Sequence, residues 1–375
     1  MMRVCHQVNF QRQFGGGEVY TAFVARALQE LGWRSRLFVH PEARYWRNLD
    51  LGDTELIPVA SHGDISARLA TGPILCHAPG EEARRLVGGD HAVACMAHMP
   101  PQGRKAASFA GFDLLLPVSG YVRQGLLEAG IDNVHDEPLY GVADPRHAGE
   151  TMGLLRRGSL FDWDRKKVRD RLLGASEPLW GRLLPQPVYT QQTGVLTLAI
   201  VSRITTIKQF PLLFALLAPI LARQPNMRLE VFGSGGYASM RDLRRALAPL
   251  GPRVGWWGHQ RDVATVYRNV DYVLTGLPER EALGLNVIEA QACGTPVLAV
   301  DAPPFTETVI DGAGGFLFRD PREDHGAAFA DLLARIVDPA TRPDPLAAAN
   351  AAHLARFSAE AFRARLGRAL EVLCR

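Results

Sequence analysis

The sequence predicts an α/β protein with two doubly wound, Rossmann-like domains facing a central cleft. Three observations carry this. The chain has 375 residues, and an ordinary single core holds roughly 100–200. Short apolar runs alternate with longer amphipathic segments, as in a parallel sheet covered by helices on both faces. That rhythm stops once, mid-chain, and then restarts. In such domains ligands gather outside the carboxyl ends of the strands.

The elements follow in order. MRVCHQVNF reads as a strand, and GEVYTAFVARALQELG as a helix with Val19, Phe23, Ala27 and Leu31 at helical spacing and Gly32 as its stop. SRLFVH, TELIPVA, PILCHA, HAVACMAHM and DLLLPVSG are further strands. SGYVRQGLLEAG is a short helix opened by Ser119 and closed by Gly130. From Gly149 to Gly194 no strand is evident. RRGSLFDWDRKKVRDRLLG is basic with a few aromatics, and PLWGRLLPQPVYTQQTG is rich in Pro, Gly and Gln. A solvated helix and loop crossing between domains is the favoured reading. A membrane-surface patch is the alternative, since Arg, Lys, Leu, Phe and Trp together suit an interface.

The second half restarts with VLTLAIVSR as strand into loop. KQFPLLFALLAPILARQP is a helix despite Pro211 and Pro219. MRLEVFGSGG is a strand entering a glycine turn, and YASMRDLRRALAPLG a helix. PRVGWWGH, NVDYVLTG and TPVLAV are strands, with LNVIEAQACG as the helix before the last. PLAAANAAHLARFSAEAFRARLGRALEVL reads as long and helical. The expected domains are residues 1–150 and 191–355, joined by a linker at 151–190.

Composition excludes several function classes. A net charge of +3, spread along the chain without a base-reading module, argues against nucleic acid as a partner. Apolar content of 47% and charged content of 22% match a soluble globular protein. The five cysteines include no CxxC pair, which suits reduced thiols in a cytoplasm. The first residues carry no charged-then-apolar signal, and no apolar run is long enough to span a membrane.

Unusual residues collect at the strand ends. Gly15, Gly16 and Gly17 follow the first strand and would let backbone N–H groups approach a phosphate or sugar closely. This is not GxGxxG, so it is no dinucleotide fingerprint. Arg203 and Lys208 bracket the loop after LTLAIV, and a planar fork beside a point charge suits a diphosphate. They would also stabilise a phosphate leaving group. Lys208 stands out because Lys105, Lys166 and Lys167 are the only other lysines. Gly233 and Gly235 close the next strand, and Trp257 and Gly258 the one after; both suit a flat base against backbone, though Trp257 alone reads as core. Cys76, His77, His91, Cys95 and His98 lack the close pairing of zinc ligands, and strand neighbours point to opposite faces, so no metal is expected. His98 ends its strand and faces the cleft mouth. The run from Glu279 to Val300 puts Glu279, Glu281 and Glu289 around a helix start at Leu283, Gly284 and Leu285, a place built for anions.

Glu281 and Glu289 stand eight positions apart in EALGLNVIE, and the chain here resembles the retaining glycosyltransferases of family 4, with their Glu-x7-Glu signature and GT-B fold. FGGGE, AHMP, FAGFDLLLPVSGYVRQGLLEAG, LYGVAD, VSRITTIKQF and TETVIDGAGGFLF resemble family segments in the same order, over nearly the whole chain. Ser202, Gln209, Tyr140, Leu277, Pro278 and Leu283 depart from the usual residues, which leaves the donor sugar open. The resemblance implies a nucleotide-diphosphate sugar donor held mainly by the second domain. Arg203, Lys208 and the helix start would hold the diphosphate, Glu289 the ribose hydroxyls and Glu281 the hydroxyls of the transferred sugar. His98 would approach that sugar from the first domain, and Gly16 and Gly17 would close over the phosphates. Glu279 falls outside the spacing and is expected to be merely exposed. The implied chemistry is metal-independent front-face displacement, with no carboxylate nucleophile placed as in retaining glycosidases and no DxD motif. The acceptor would be a saccharide or lipid-linked saccharide in bacterial surface polysaccharide or glycoconjugate synthesis. The enzyme would be cytoplasmic, with peripheral membrane association where the acceptor is lipid-linked. The loop Gly103, Arg104 and Lys105 would meet an anionic or lipid-linked acceptor. A C-terminal helix at about 356–375 would cross back to the first domain. The alternatives are another GT-B enzyme, either a sugar phosphorylase or a sugar-nucleotide epimerase, and a non-catalytic nucleotide-sugar binder.

Overall fold

A computed structural model describes residues 3–12, 14–101, 103–143, 154–157, 168, 171–172, 175–176 and 187–375. The chain divides into two compact units, one of Met1–Ala143 with Ala355–Arg375 and one of Asp144–Leu354.

The first unit holds a parallel sheet of β1 (Arg3–Asn9), β2 (Trp33–Val39), β3 (Glu55–Pro58), β4 (Ile74–Cys76), β5 (Val93–Ala97) and β6 (Leu114–Pro117). Their order is β3-β2-β1-β4-β5-β6. The second unit repeats the plan with β7 (Leu196–Val201), β8 (Met227–Phe232), β9 (Val254–Trp256), β10 (Tyr272–Leu274), β11 (Val297–Val300) and β12 (Gly315–Phe318), in the order β12-β11-β10-β7-β8-β9. Each sheet starts in its middle, walks to one edge, returns and walks to the other. The reversal falls between β1 and β4 in one unit and between β7 and β10 in the other. All five residues of β5 are buried, because helices cover both faces; such strands read as continuous apolar runs.

The longer helices are α1 (Gly16–Glu30), α2 (Gly120–Glu128), α3 (Phe210–Ala222), α4 (Tyr237–Ala246), α5 (Val263–Arg268), α6 (Leu285–Ala292), α7 (Ala327–Ile336), α8 (Ala348–Ala355) and α9 (Ala359–Leu373). Ser119 caps α2 as its position predicts, its hydroxyl accepting from the Val122 amide at 3.1 Å. Pro211 sits in the first turn of α3, where a missing N–H costs little. Pro219 lies inside that helix, which persists because Phe210, Leu213, Phe214, Leu217 and Leu221 bury one continuous face.

Four elements differ from the sequence reading. The final segment is two helices, since buried Phe357 turns the chain and the Ser358 hydroxyl starts α9 by accepting from the Ala361 amide at 3.1 Å. The strand β12 was hidden in four residues, GFLF, behind the glycine-rich turn that precedes them. Helices α5 and α7 also went unread; α5 has six residues, too few to show a period. The basic stretch at 156–174 lies almost wholly outside the described residues, as do the side chains of 103–105. Among the described residues no helix is long and apolar enough to cross a membrane.

Candidate active site

Lys208, Glu281 and the start of α6 gather at the second unit's switch point, whereas Trp257 and Gly258 follow the edge strand β9. On one side, β7 ends at Val201 and residues 202–209 lead into α3. On the other, β10 ends at Leu274 and a 3-10 turn spans Pro278–Arg280. The backbone of Lys208 joins the two loops. Its carbonyl accepts from the Leu277 amide at 3.3 Å. Gly276 lies so close that a Cβ there would sit 2.3 Å from the same oxygen. The side chains meet as well: Lys208 Nζ pairs with the Glu281 carboxylate, at side-chain exposures of 22% and 15%. Such a pair, largely withdrawn from water, is a strong directional contact that fixes both groups.

Glu281 leads into the start of α6. Leu283 is buried, so only its backbone is placed for a ligand. Gly284 caps the helix at φ 80°, and a Cβ there would crowd Val287 at 3.0 Å and Phe305 at 3.3 Å. Glycine is therefore required on both counts. The first N–H groups of α6 have no intrahelical acceptor, and the helix dipole adds partial positive charge there. One turn in, half-buried Glu289 accepts from the Tyr267 hydroxyl at 3.0 Å. Burial pushes the Glu289 carboxyl up to about 7. Burial and the neighbouring Glu289 together push the Tyr267 hydroxyl well above its ordinary value.

Glu279 is not merely exposed. It is half-buried and pairs with Arg322, which also holds Asp320 at the start of the short helix Pro321–Asp324. The clasp ties the turn before Glu281 to the far edge of the sheet. Arg322 lies more than forty residues beyond Glu279, and no spacing announces it.

The remaining glycines and Trp257 serve packing first. A Cβ on Gly233 would stand 1.9 Å from the Ser202 carbonyl oxygen, and one on Gly235 1.7 Å from that of Ile204. These glycines let the β8–α4 loop lie against the loop that carries Arg203. There the Ile204 amide donates to the Ser234 carbonyl at 2.9 Å. Trp257 stacks on Phe232 at 6.2 Å and donates from Nε1 to buried Glu230 at 2.7 Å. That is the core reading of Trp257. Gly258 takes φ 70° with open space around it.

In the first unit Gly16 and Gly17 are the opening residues of α1 rather than a loop before it. A Cβ on Gly17 would meet His98 Nε2 at 3.8 Å, so His98 lies beside this helix start. The imidazole packs edge-on against Tyr20 at 5.1 Å. Its Nε2 is buried without a hydrogen-bond partner. Burial lowers His98 to about 4. Three of the other four residues weighed as metal ligands have separate partners: His77 Nε2 meets Gln7 Oε1 at 2.8 Å, His91 Nδ1 the Gly72 carbonyl at 2.9 Å, and the Cys95 thiol the Met96 carbonyl at 3.6 Å.

Lys208, Glu281 and the start of α6 thus lie together at the switch point, with Glu289 one turn into that helix. The decisive comparison covers the same residues: 187–344 match the family model described as glycosyl transferases group 1. Over these residues the second unit is similar to a group 1 glycosyl transferase domain. The chain is also 37% identical over 147 residues to D-inositol 3-phosphate glycosyltransferase of Stackebrandtia nassauensis. That stretch is 36% of this chain and 31% of the relative, so the match spans about a third of the curated protein. Among solved structures, Anabaena HepE in complex with UDP superposes with a TM-score of 0.73 at 15% identity, over 99% of this chain and 100% of that one. Sucrose-phosphate synthase of Thermosynechococcus elongatus superposes with a TM-score of 0.69 at 18% identity, over 99% of both. Two parallel six-stranded sheets of one order, with these neighbours, make the fold GT-B.

Proposed function

We propose that the protein is a retaining glycosyltransferase that moves a hexose-type sugar from a nucleotide-diphosphate donor to a saccharide or lipid-linked acceptor. The observation that carries this is the meeting of Lys208, Glu281 and the Glu289-bearing start of α6 at the switch point of a group 1 domain. Arg203, Lys208 and the first N–H groups of α6 take the diphosphate. Glu289 takes the ribose diol, and Glu281 the hydroxyls of the transferred sugar. For the first unit, His98 is assigned to the sugar and Gly16 and Gly17 to the phosphates. The anomeric carbon–phosphate oxygen bond breaks while the acceptor hydroxyl bonds on the same face. Its proton goes to the departing diphosphate, whose negative charge the two cations offset. No step in this reading uses a metal. HepE from Anabaena has been crystallised with UDP and with UDP-glucose, which makes UDP-sugars the first donors to try. Surface polysaccharide or glycoconjugate synthesis in the cytoplasm, with acceptor contact at the membrane face, is the setting this reading favours.

A thermal-shift screen over UDP-, GDP- and ADP-sugars identifies the donor. Glu289→Ala should then weaken its binding about tenfold or more, since hydrogen bonds to a charged group contribute about 1.5–3 kcal/mol. Unchanged donor affinity in that variant would sink the assignment.

A further inference from the structure

The structure assigns Tyr267 as a positioning residue for nucleotide recognition, aiming the Glu289 carboxylate at a ribose diol. The inference rests on the donor reading above. Tyr267 lies near the end of α5 and is 1% exposed. It can touch no ligand itself. Its hydroxyl donates to Glu289 Oε2 at 3.0 Å. Its backbone carbonyl accepts from the Thr295 hydroxyl at 2.6 Å, which ties this turn of α5 to the residues before β11. Glu289 is only half-buried, and among the described residues its Oε1 accepts no protein hydrogen bond. One oxygen is held and the other is presented. A carboxylate so held has a restricted plane, with Oε1 open and a second lone pair left on Oε2, which suits an oriented hydroxyl pair.

Burial raises the Glu289 carboxyl, so the ionised form is held at some cost. The Tyr267 hydroxyl lowers that cost by donating to the charge. Phenylalanine at 267 would keep the ring packed against Val266, Val287 and Ala290 in the core beneath the sheet. It would leave Oε2 with no donor and let the carboxylate turn.

The test compares Tyr267→Phe with wild type in calorimetric binding of UDP and 2′-deoxy-UDP, with GDP and ADP pairs in parallel. Wild type should prefer the ribonucleotide. Y267F should bind it about tenfold more weakly, the worth of one hydrogen bond to a charged group, while its affinity for the 2′-deoxy form changes little. Adding Y267F to Glu289→Gln should change nothing further, because the two act as one unit. Y267F that keeps the wild-type preference between the two sugars overturns the assignment. So does Y267F that no longer melts cooperatively, since the hydroxyl would then hold the core rather than the carboxylate. Wild type that binds none of UDP, GDP and ADP overturns the donor reading and this one with it, an outcome distinct from either of the others.

Discussion

His98 and His77 show how much one residue's surroundings decide. Both are histidines near the carboxyl ends of adjacent strands, and burial holds both neutral, His77 at about 3 and His98 at about 4. Unfolded imidazoles titrate near 6.5, so between about 4 and 6.5 the unfolded chain binds more protons, and stability rises with pH. Below about 4 the imidazole of His98 is protonated in both states and the loss stops growing. Glu289 has the opposite sign: its raised carboxyl makes stability fall as pH climbs from its ordinary 4.5 towards 7. The two effects overlap, so the clean measurement is a difference. Urea unfolding of His98→Gln and wild type at pH 4, 5, 6 and 7 should show the variant gaining on wild type as pH falls, by about 1.4 kcal/mol per pH unit at most. Parallel curves would mean that His98 titrates as it does in water. At this scale the sequence shows that His98, Lys208, Glu281 and Glu289 stand beside strand ends or a helix start, because that placement follows from local pattern. It could not announce Tyr267 or Arg322, because their partners are set by which helix packs on which.

Most elements were legible where an apolar run or a cap stood clear, although the ten-residue α7 and the Asp262-capped α5 were not. The strands from β1 to β11 each carry an apolar run, and Ser119 and Gly130 bound α2. Where packing rather than periodicity decides, the sequence was silent: β12 is four residues long, and the break before α9 depends on Phe357 finding a buried site. The glycine loop after β8 is the sharper case. Its glycines suggested a ligand, yet Gly233 and Gly235 are needed because two backbone loops touch. Gly236, next along, has extended φ and ψ and nothing near a Cβ. Gly235→Ala should therefore cost about 2–4 kcal/mol, since a methyl against a carbonyl oxygen cannot be relieved by a rotamer. Gly236→Ala should be close to neutral. Melting temperatures of the two variants check the contrast. Equal losses would mean that the loop as a whole, rather than the approach to Ile204, demands glycine.

At the scale of the whole molecule, the chain's last helix belongs to its first unit. Helix α9 packs on α1, burying Phe362, Leu366 and Leu370, with Phe362 edge-on to Phe23 at 5.8 Å. Arg365 fixes it further: its Nε donates to Glu137 at 3.1 Å and its guanidinium lies 4.9 Å from the Tyr140 ring. Arg368 donates from Nε to the other oxygen of Glu137 at 2.9 Å. Three such apolar side chains contribute about 1.5–3 kcal/mol each, a sum comparable to the whole stability of an ordinary domain, about 5–15 kcal/mol. A chain ending at Leu354 should therefore lose the first unit while the second, whose sheet and core are complete without the tail, survives. Hydrogen exchange on that truncated chain reads the difference directly. Amides of β1, β4 and β5 should exchange as in an unfolded chain, and those of β7, β8 and β11 should stay protected. Protection lost equally in both sheets would show that the second unit does not stand alone. Protection kept in both would show that α9 is an accessory to the first core rather than part of it.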